Sequence, residues 1–190
     1  MARGLARDHD AKRAALRKGA AQYFARHGFD RASMTGAAKS CGVSKALLYH
    51  YYPSKEDLLF DILDDHLGDL VAVVEATREQ GMRGLIRAIL SAYENADAEH
   101  KLQLDALTVL PAAKQAPLVA HQRRLVAIMA DAVAAEAPGL TPDRLRAATM
   151  TVFGILNWFY MWHRPGKGMS RAEYADLAGD FVMGGLRSLA

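Results

Sequence analysis

From residue 8 onward apolar positions recur every three or four residues, and no stretch alternates apolar with polar as a half-buried strand would. The pattern predicts an all-α chain of about nine helices. Leu16, Ala20, Tyr23 and Phe24 form the inward stripe of a first helix over 8–27, and Gly28 stands where a left-handed stop belongs. Ser33 can cap a second, short helix whose Ala37, Ala38 and Cys41 face inward before Gly42 breaks it. Val43 connects, Ser44 caps a third helix over 45–52, and Pro53 ends it by disfavouring helix in the residue before it. Ser54 then opens a long fourth helix to about residue 78, with Glu56 and Asp57 at its positive end. Further helices are expected over 82–95, 99–110, 117–136, 142–163 and 170–189, with breaks at Gly81, Pro111, Pro138-Gly139 and 165–168.

Composition narrows the class. With 51% hydrophobic and 24% charged residues in 190, the chain can build a substantial core and is no disordered tail. One cysteine cannot form an internal disulfide, which fits a reduced compartment. The first twenty residues carry Arg3, Arg7, Lys12, Arg13, Arg17 and Lys18 with no apolar core between them, so no secretory signal is expected and the cytoplasm is the expected location. The longest uncharged stretch, 147–162, contains Thr149, Thr151 and Asn157 and falls short of the ~20 apolar residues of a membrane span. It is read as a buried helix, with no membrane partner.

Charge is unevenly spread. Residues 1–60 hold 11 Lys/Arg against 5 Asp/Glu, whereas residues 61–190 hold 13 against 16. A basic first third on a mildly acidic body implies an anionic partner, nucleic acid or a membrane surface, for that third alone.

The run Gly42-Val43-Ser44-Lys45, then Leu48-Tyr49-His50-Tyr51-Tyr52 and Pro53-Ser54-Lys55-Glu56-Asp57-Leu58-Leu59, resembles the DNA-binding domain of TetR-family transcriptional regulators over roughly residues 10–62. Gly36 and Ala37 depart from the family's usual polar residue and isoleucine, and Ala46 from a frequent glycine. Physically, a helix-turn-helix needs a glycine-containing turn and a second helix whose exposed side chains enter the major groove. Gly42 supplies the turn, Leu48 is best placed to pack inward, and Tyr49 and His50 to face outward. The resemblance implies that Thr35, Ser44, Lys45, Ala46, Tyr49, His50, Tyr51 and Lys55 line double-stranded operator DNA. Tyr52 is the tyrosine expected to be least exposed. Arg3, Arg7, Lys12 and Arg13 are further candidates for phosphates, as an arm opening the first helix.

The resemblance also implies two domains, a helix-turn-helix domain over 1–54 and an effector-binding and dimerisation domain over 55–190. Its expected activity is that of a ligand-responsive repressor rather than an enzyme, with no cofactor. The segment from Asn157 to Gly166, followed by Ser170 and Glu173, is similar to TetR-family regulators that answer to acyl-coenzyme A thioesters. Ile86, Tyr93, Leu104, His121, Arg124, Met129, Phe153, Asn157 and Trp158 are the effector-binding candidates. Arg83, Arg87, Arg123 and Arg164 are further cations for its phosphates. Val152, Leu156, Phe159, Trp162, Phe181, Val182 and Leu186 are expected to form the seam of a homodimer built from the last two long helices.

Other readings remain at this point. The effector can be a different hydrophobic molecule, or the chain a sequence-independent architectural DNA binder. Asp61, Asp64, Asp65, His66 and Asp69 share helical spacing, yet carboxylates on an exposed helix are usually just solvated, and no metal site is expected. No acid–base pair at a telling spacing supports catalysis, and nothing in the sequence pairs Cys41 with a base.

Overall fold

The structure, a computed structural model, describes residues 2–164 and 166–189, with side chains from His9 onward. The side chains of Arg3 and Arg7 therefore lie outside the described residues. Helices follow in the order α1 (Ala2–His27), α2 (Met34–Ser40), α3 (Lys45–Tyr51), α4 (Lys55–Thr77), α5 (Gly81–Ala92), α6 (Asp97–Ala106), α7 (Ala112–Glu136), α8 (Pro142–Asn157), α9 (Phe159–Trp162) and α10 (Arg171–Arg187). Single 3₁₀ turns follow α4 and α6. No strand occurs among the described residues beyond an isolated bridge between Arg164 and Lys167.

The chain divides into two compact units, residues 1–66 with 98–118, and residues 67–97 with 119–190. The first unit thus takes in α6, which an end at residue 54 leaves out. Its ties to α1 are specific: Lys101 Nζ donates to the Ala25 carbonyl at 3.0 Å, and Lys18 pairs with Glu99 at 3.2 Å. Leu16, Ala20, Phe24, Met34, Ala37, Ala38 and Leu48 are buried, the residues whose spacing faces them inward from α1, α2 and α3. Close packing of α1 on α2 needs a glycine, because a Cβ at Gly19 would stand 2.8 Å from Cys41 Sγ. The turn between α2 and α3 runs through Gly42 at φ +68°, a conformation that glycine adopts without strain.

In the second unit α5 packs along α10. Leu85, Ile86 and Ile89 are buried, as are Ala175, Ala178 and Val182, and the small residues of α10 allow close approach. Ion pairs flank this contact, Arg83 with Asp180 at 2.6 Å and Arg87 with Asp176 at 2.7 Å. A capping box of Ser170 and Glu173 starts α10.

Two boundaries differ from the sequence pattern. Pro117 sits inside α7 instead of opening it. The helix starts at Ala112, where the Lys114 and Gln115 amides bond the Pro111 carbonyl, and both Ala113 and Pro117 are exposed, so the carbonyl lacking a donor faces solvent. The helix expected over 142–163 is broken at Trp158 into α8 and α9. There the Tyr174 hydroxyl donates to the Ile155 carbonyl at 2.9 Å, the acceptor a continuous helix would offer the Phe159 amide.

Candidate functional site

Ser33 and Ser44 cap α2 and α3, their hydroxyls accepting the Gly36 and Leu47 amides at 3.1 Å each. Between them the Val43 amide bonds back to the Ala38 carbonyl at 3.0 Å, closing a tight turn. On α3 only Leu48 is fully buried, an anchor that leaves Lys45, Ala46, Tyr49 and His50 exposed on the other faces. Lys45 Nζ lies 5.5 Å from the Tyr49 ring centre, and Tyr49 keeps 42% of its surface in solvent. Thr35 is exposed on α2. Tyr51 is half-buried and stacks on His9 of α1 at 4.8 Å. Gly36, where the family usually has a polar residue, is covered by Tyr23, whose Cζ would stand 2.5 Å from a Cβ there.

Lys55 is a correction to the outward set. Its ammonium turns inward and donates to the carbonyls of Phe29 at 2.8 Å, Ala32 at 3.2 Å and Asp30 at 3.5 Å, over the Phe29 ring. Three carbonyls satisfy its three donors, so Lys55 ties the start of α4 to the α1–α2 turn. Arg13, a candidate for phosphates, is likewise engaged. Its guanidinium grips Asp61 with Nε at 3.0 Å and Nη2 at 2.5 Å. Asp61 also accepts from the buried Tyr52 hydroxyl at 2.6 Å and from Arg17 at 3.3 Å, and Arg17 reaches Asp65 at 2.6 Å. Burial pushes the Asp61 carboxyl up, but the Tyr52 and Arg13 hydrogen bonds and the arginine charges outweigh it, leaving the carboxyl below its usual range. Burial first, then the bond to Asp61, pushes the Tyr52 phenol up.

In the second unit, Ile86, Tyr93, Met129 and Phe153 are all buried, and the Tyr93 hydroxyl donates to Asn157 Oδ1 at 3.0 Å. Burial pushes the Tyr93 phenol up. Other effector candidates fall elsewhere. Trp158, the residue at the α8–α9 break, is 62% exposed, and Leu104 is exposed on α6 in the other unit. His121 is half-buried on α7, Arg124 pairs with Glu75, and Arg83 and Arg87 are held by their aspartates. Arg123 is exposed on α7, while Arg164 donates to the carbonyls of Met161 in α9 and of His163.

Of the seam candidates, Leu156 and Phe159 are fully buried within the chain, Phe159 stacking on Tyr174 at 4.5 Å. That burial is a correction, for neither has surface to offer a partner. Trp162 and Phe181 are exposed, Phe181 at 75%. Val152, Val182 and Leu186 are mostly buried but line the floor of an apolar groove of about 640 Å³ along α8 and α10, with Phe181, Gly184 and Gly185 at its edge.

Comparison with known proteins settles the family. The model of bacterial regulatory proteins of the tetR family matches residues 16–62, and that of the tetracyclin repressor-like C-terminal domain matches residues 75–186. The chain belongs to the TetR family. A regulator proposed for mycofactocin biosynthesis, MftR of Mycobacterium tuberculosis, is 26% identical over 181 residues, covering 90% of this chain and 88% of that one. A TetR-family regulator from Bordetella parapertussis superposes with a TM-score of 0.83 at 28% identity, over 90% of this chain and 93% of the other. The structure of AibR in complex with isovaleryl coenzyme A and operator DNA shares the fold at 21% identity, with a TM-score of 0.75 over 90% and 97% of the chains.

Membership in the TetR family makes this chain a transcriptional regulator and not an enzyme. No group of three or more His, Cys, Asp or Glu among the described residues could hold a metal ion. Asp61 and Asp65, which share a helical face with other acids, are instead engaged by arginines. No helix of the described residues is long and apolar enough to cross a membrane. Cys41 is half-buried, its thiol pushed up by burial. Three features escaped sequence reasoning: the Asp61 cluster, the His9–Tyr51 stack, and the buried pair His66 and His100, with ring centres 6.3 Å apart. His66 is pulled down to about 4 by burial and by the charges of His100 and Lys18, against a hydrogen bond with Gln103. Arg13 and Asp61 stand 48 residues apart, with no local pattern linking them.

Proposed function

We propose that this protein is a homodimeric, cytoplasmic repressor whose two α3 helices occupy successive major grooves of a near-palindromic operator and leave when a hydrophobic effector binds. The observation that carries the reading is α3 itself, anchored by Leu48 and Ser44 while Lys45, Ala46, Tyr49 and His50 stay exposed. Thr35, Ser44 and Tyr51 complete the DNA-facing set. The homodimer forms across the apolar groove of α8 and α10, with Phe181 on its rim and Val152, Val182 and Leu186 beneath, and the exposed Trp162 of α9 joins the seam. Two readers one helical turn apart, ~34 Å, tolerate little change in separation, so a small effector-driven pivot is enough to lose the operator.

The leading effector class is an acyl-coenzyme A thioester. Its acyl chain would take the apolar surroundings of Ile86, Met129 and Phe153, and the polar pair Tyr93 and Asn157 would orient its carbonyl. Support comes from the Asn157–Gly166 segment and from AibR, a protein of this fold seen with isovaleryl coenzyme A and operator DNA. A different hydrophobic effector is the second reading, favoured by the engagement of Arg83, Arg87 and Arg124 with carboxylates.

Fluorescence anisotropy tests both levels. DNA from upstream of the protein's own gene and a random duplex are titrated with protein, then isovaleryl coenzyme A and longer acyl thioesters are added. Specific binding released by a thioester supports the whole reading; specific binding indifferent to all of them removes the coenzyme A class. Equal binding to both duplexes favours an architectural DNA binder. Replacing Tyr49 and His50 by alanine should abolish discrimination in a folded dimer.

A further inference from the structure

Seven residues make α3 a rod about 10 Å long, so a displacement of 1 Å at one end tilts it by about 6°. Its N-terminal end is held by the Ser44 cap and its middle by Leu48. Its C-terminal end is held by the stack of Tyr51 on His9 and, through Tyr52, by one carboxylate. Tyr52, the residue that ends α3, is buried and donates to Asp61 Oδ2 at 2.6 Å. The same carboxylate receives the Arg13 fork from α1, with Arg17 bridging onward to Asp65 one turn along α4. The end of α3, the middle of α1 and the second turn of α4 therefore meet at one group, itself only 14% exposed.

We propose that Asp61 is a positioning residue for DNA recognition, setting the angle at which α3 is presented through Tyr52 and Arg13 without touching DNA itself. The proposal rests on α3 being the reader of the operator. It also reassigns Arg13, which serves the carboxylate and leaves phosphate contact to other cations. Salt dependence separates the two roles. A residue on a phosphate contributes about 0.9 to the slope of log affinity against log salt, whereas a residue that only sets an angle contributes nothing to the slope. Misorientation degrades base readout while leaving sequence-independent attraction to phosphates intact.

The test uses a duplex selected by the wild-type protein from a random pool and a scrambled duplex, each titrated across a salt series with the full-length wild type, Tyr52→Phe and Asp61→Asn. Tyr52→Phe, which changes no charge at neutral pH, is expected to weaken binding to the selected duplex about tenfold while leaving scrambled-duplex affinity and both slopes unchanged. Asp61→Asn frees Arg13, while Arg17 keeps its pair with Asp65, so it should also tighten scrambled-duplex binding and steepen the slope by about one. Wild-type ratios of selected to scrambled affinity in both variants would overturn the proposal, as would an equal loss on both duplexes. Circular dichroism checks folding, and if Tyr52→Phe does not fold, Asp61→Asn decides alone. Failure of the wild type to select any sequence would instead overturn the reading of α3, and this proposal with it.

Discussion

Phe181 offers a direct test of the dimer. In one chain its side chain is 75% exposed, beside an apolar groove edged by Gly184 and Gly185 on the same helix. Fully burying a phenylalanine stabilises by about 1.5–3 kcal/mol, so covering the exposed three-quarters contributes about 2 kcal/mol. A two-fold interface presents the residue twice, and Phe181→Ala therefore removes about 4 kcal/mol from the dimer, close to a thousandfold in the dissociation constant. Because Phe181 makes little contact within its own chain, the folded protomer should keep its circular dichroism spectrum. Sedimentation equilibrium over a concentration series reads the constant for both proteins. A shift smaller than about tenfold would refute the placement of Phe181 at the seam.

Replacing Leu48 by alanine, at a fully buried site, should cost about 2–5 kcal/mol in urea unfolding, whereas Tyr49→Ala should change stability by less than about 0.5 kcal/mol and abolish operator discrimination. His66 predicts an acid-sensitive core. Its folded value is about 4 against 6.5 in an unfolded chain, so its stability is fully present above pH 6.5 and is lost as pH falls towards 4, where the unfolded state alone binds the proton. The loss is about 3 kcal/mol, with His100, Lys18 and Gln103 acting on the ring and Glu99 paired with Lys18. Stability of His66→Gln measured between pH 4 and 7 should be flatter than wild type, and parallel curves would refute it. Tyr93→Phe removes the bond to Asn157 and should lower stability by about 1 kcal/mol while raising the effector concentration needed for DNA release; an unaltered effector response would take Tyr93 out of the site.

The helix-turn-helix was legible because its signals are local. Ser33, Gly42, Ser44 and Leu48 each act within four residues, and the structure puts each in the role its position implies. Lys55 was misread for the opposite reason. At the start of a helix a lysine looks solvated, and the carbonyls that capture it lie 23–26 residues away in a turn whose path depends on tertiary packing. The Asp61 cluster is hidden by the same separation. On the second unit, carrying one helical period through residues 142–163 assigned Leu156 and Phe159 to an outer face. Val152, Leu156 and Phe159 keep one face across the break at Trp158, and it is the chain's own Tyr174 that covers Phe159; spacing marks an apolar face without saying which surface covers it. Where periodicity ran unbroken, as in α5, the buried face matches the pattern.

The seat of Cys41 has a practical consequence. It is the chain's single cysteine, wedged where Gly19 lets α1 approach, with Sγ directed at the Leu16 carbonyl at 3.5 Å and its thiol pushed towards the neutral form. Electrophilic reagents attack the thiolate, so this sulfur reacts slowly under mild labelling. A cysteine introduced on the exposed rim of α3 would outcompete it for a spin label or fluorophore without any further engineering of the background. The natural sequence thus comes ready for a distance measurement between two reading helices, with and without effector.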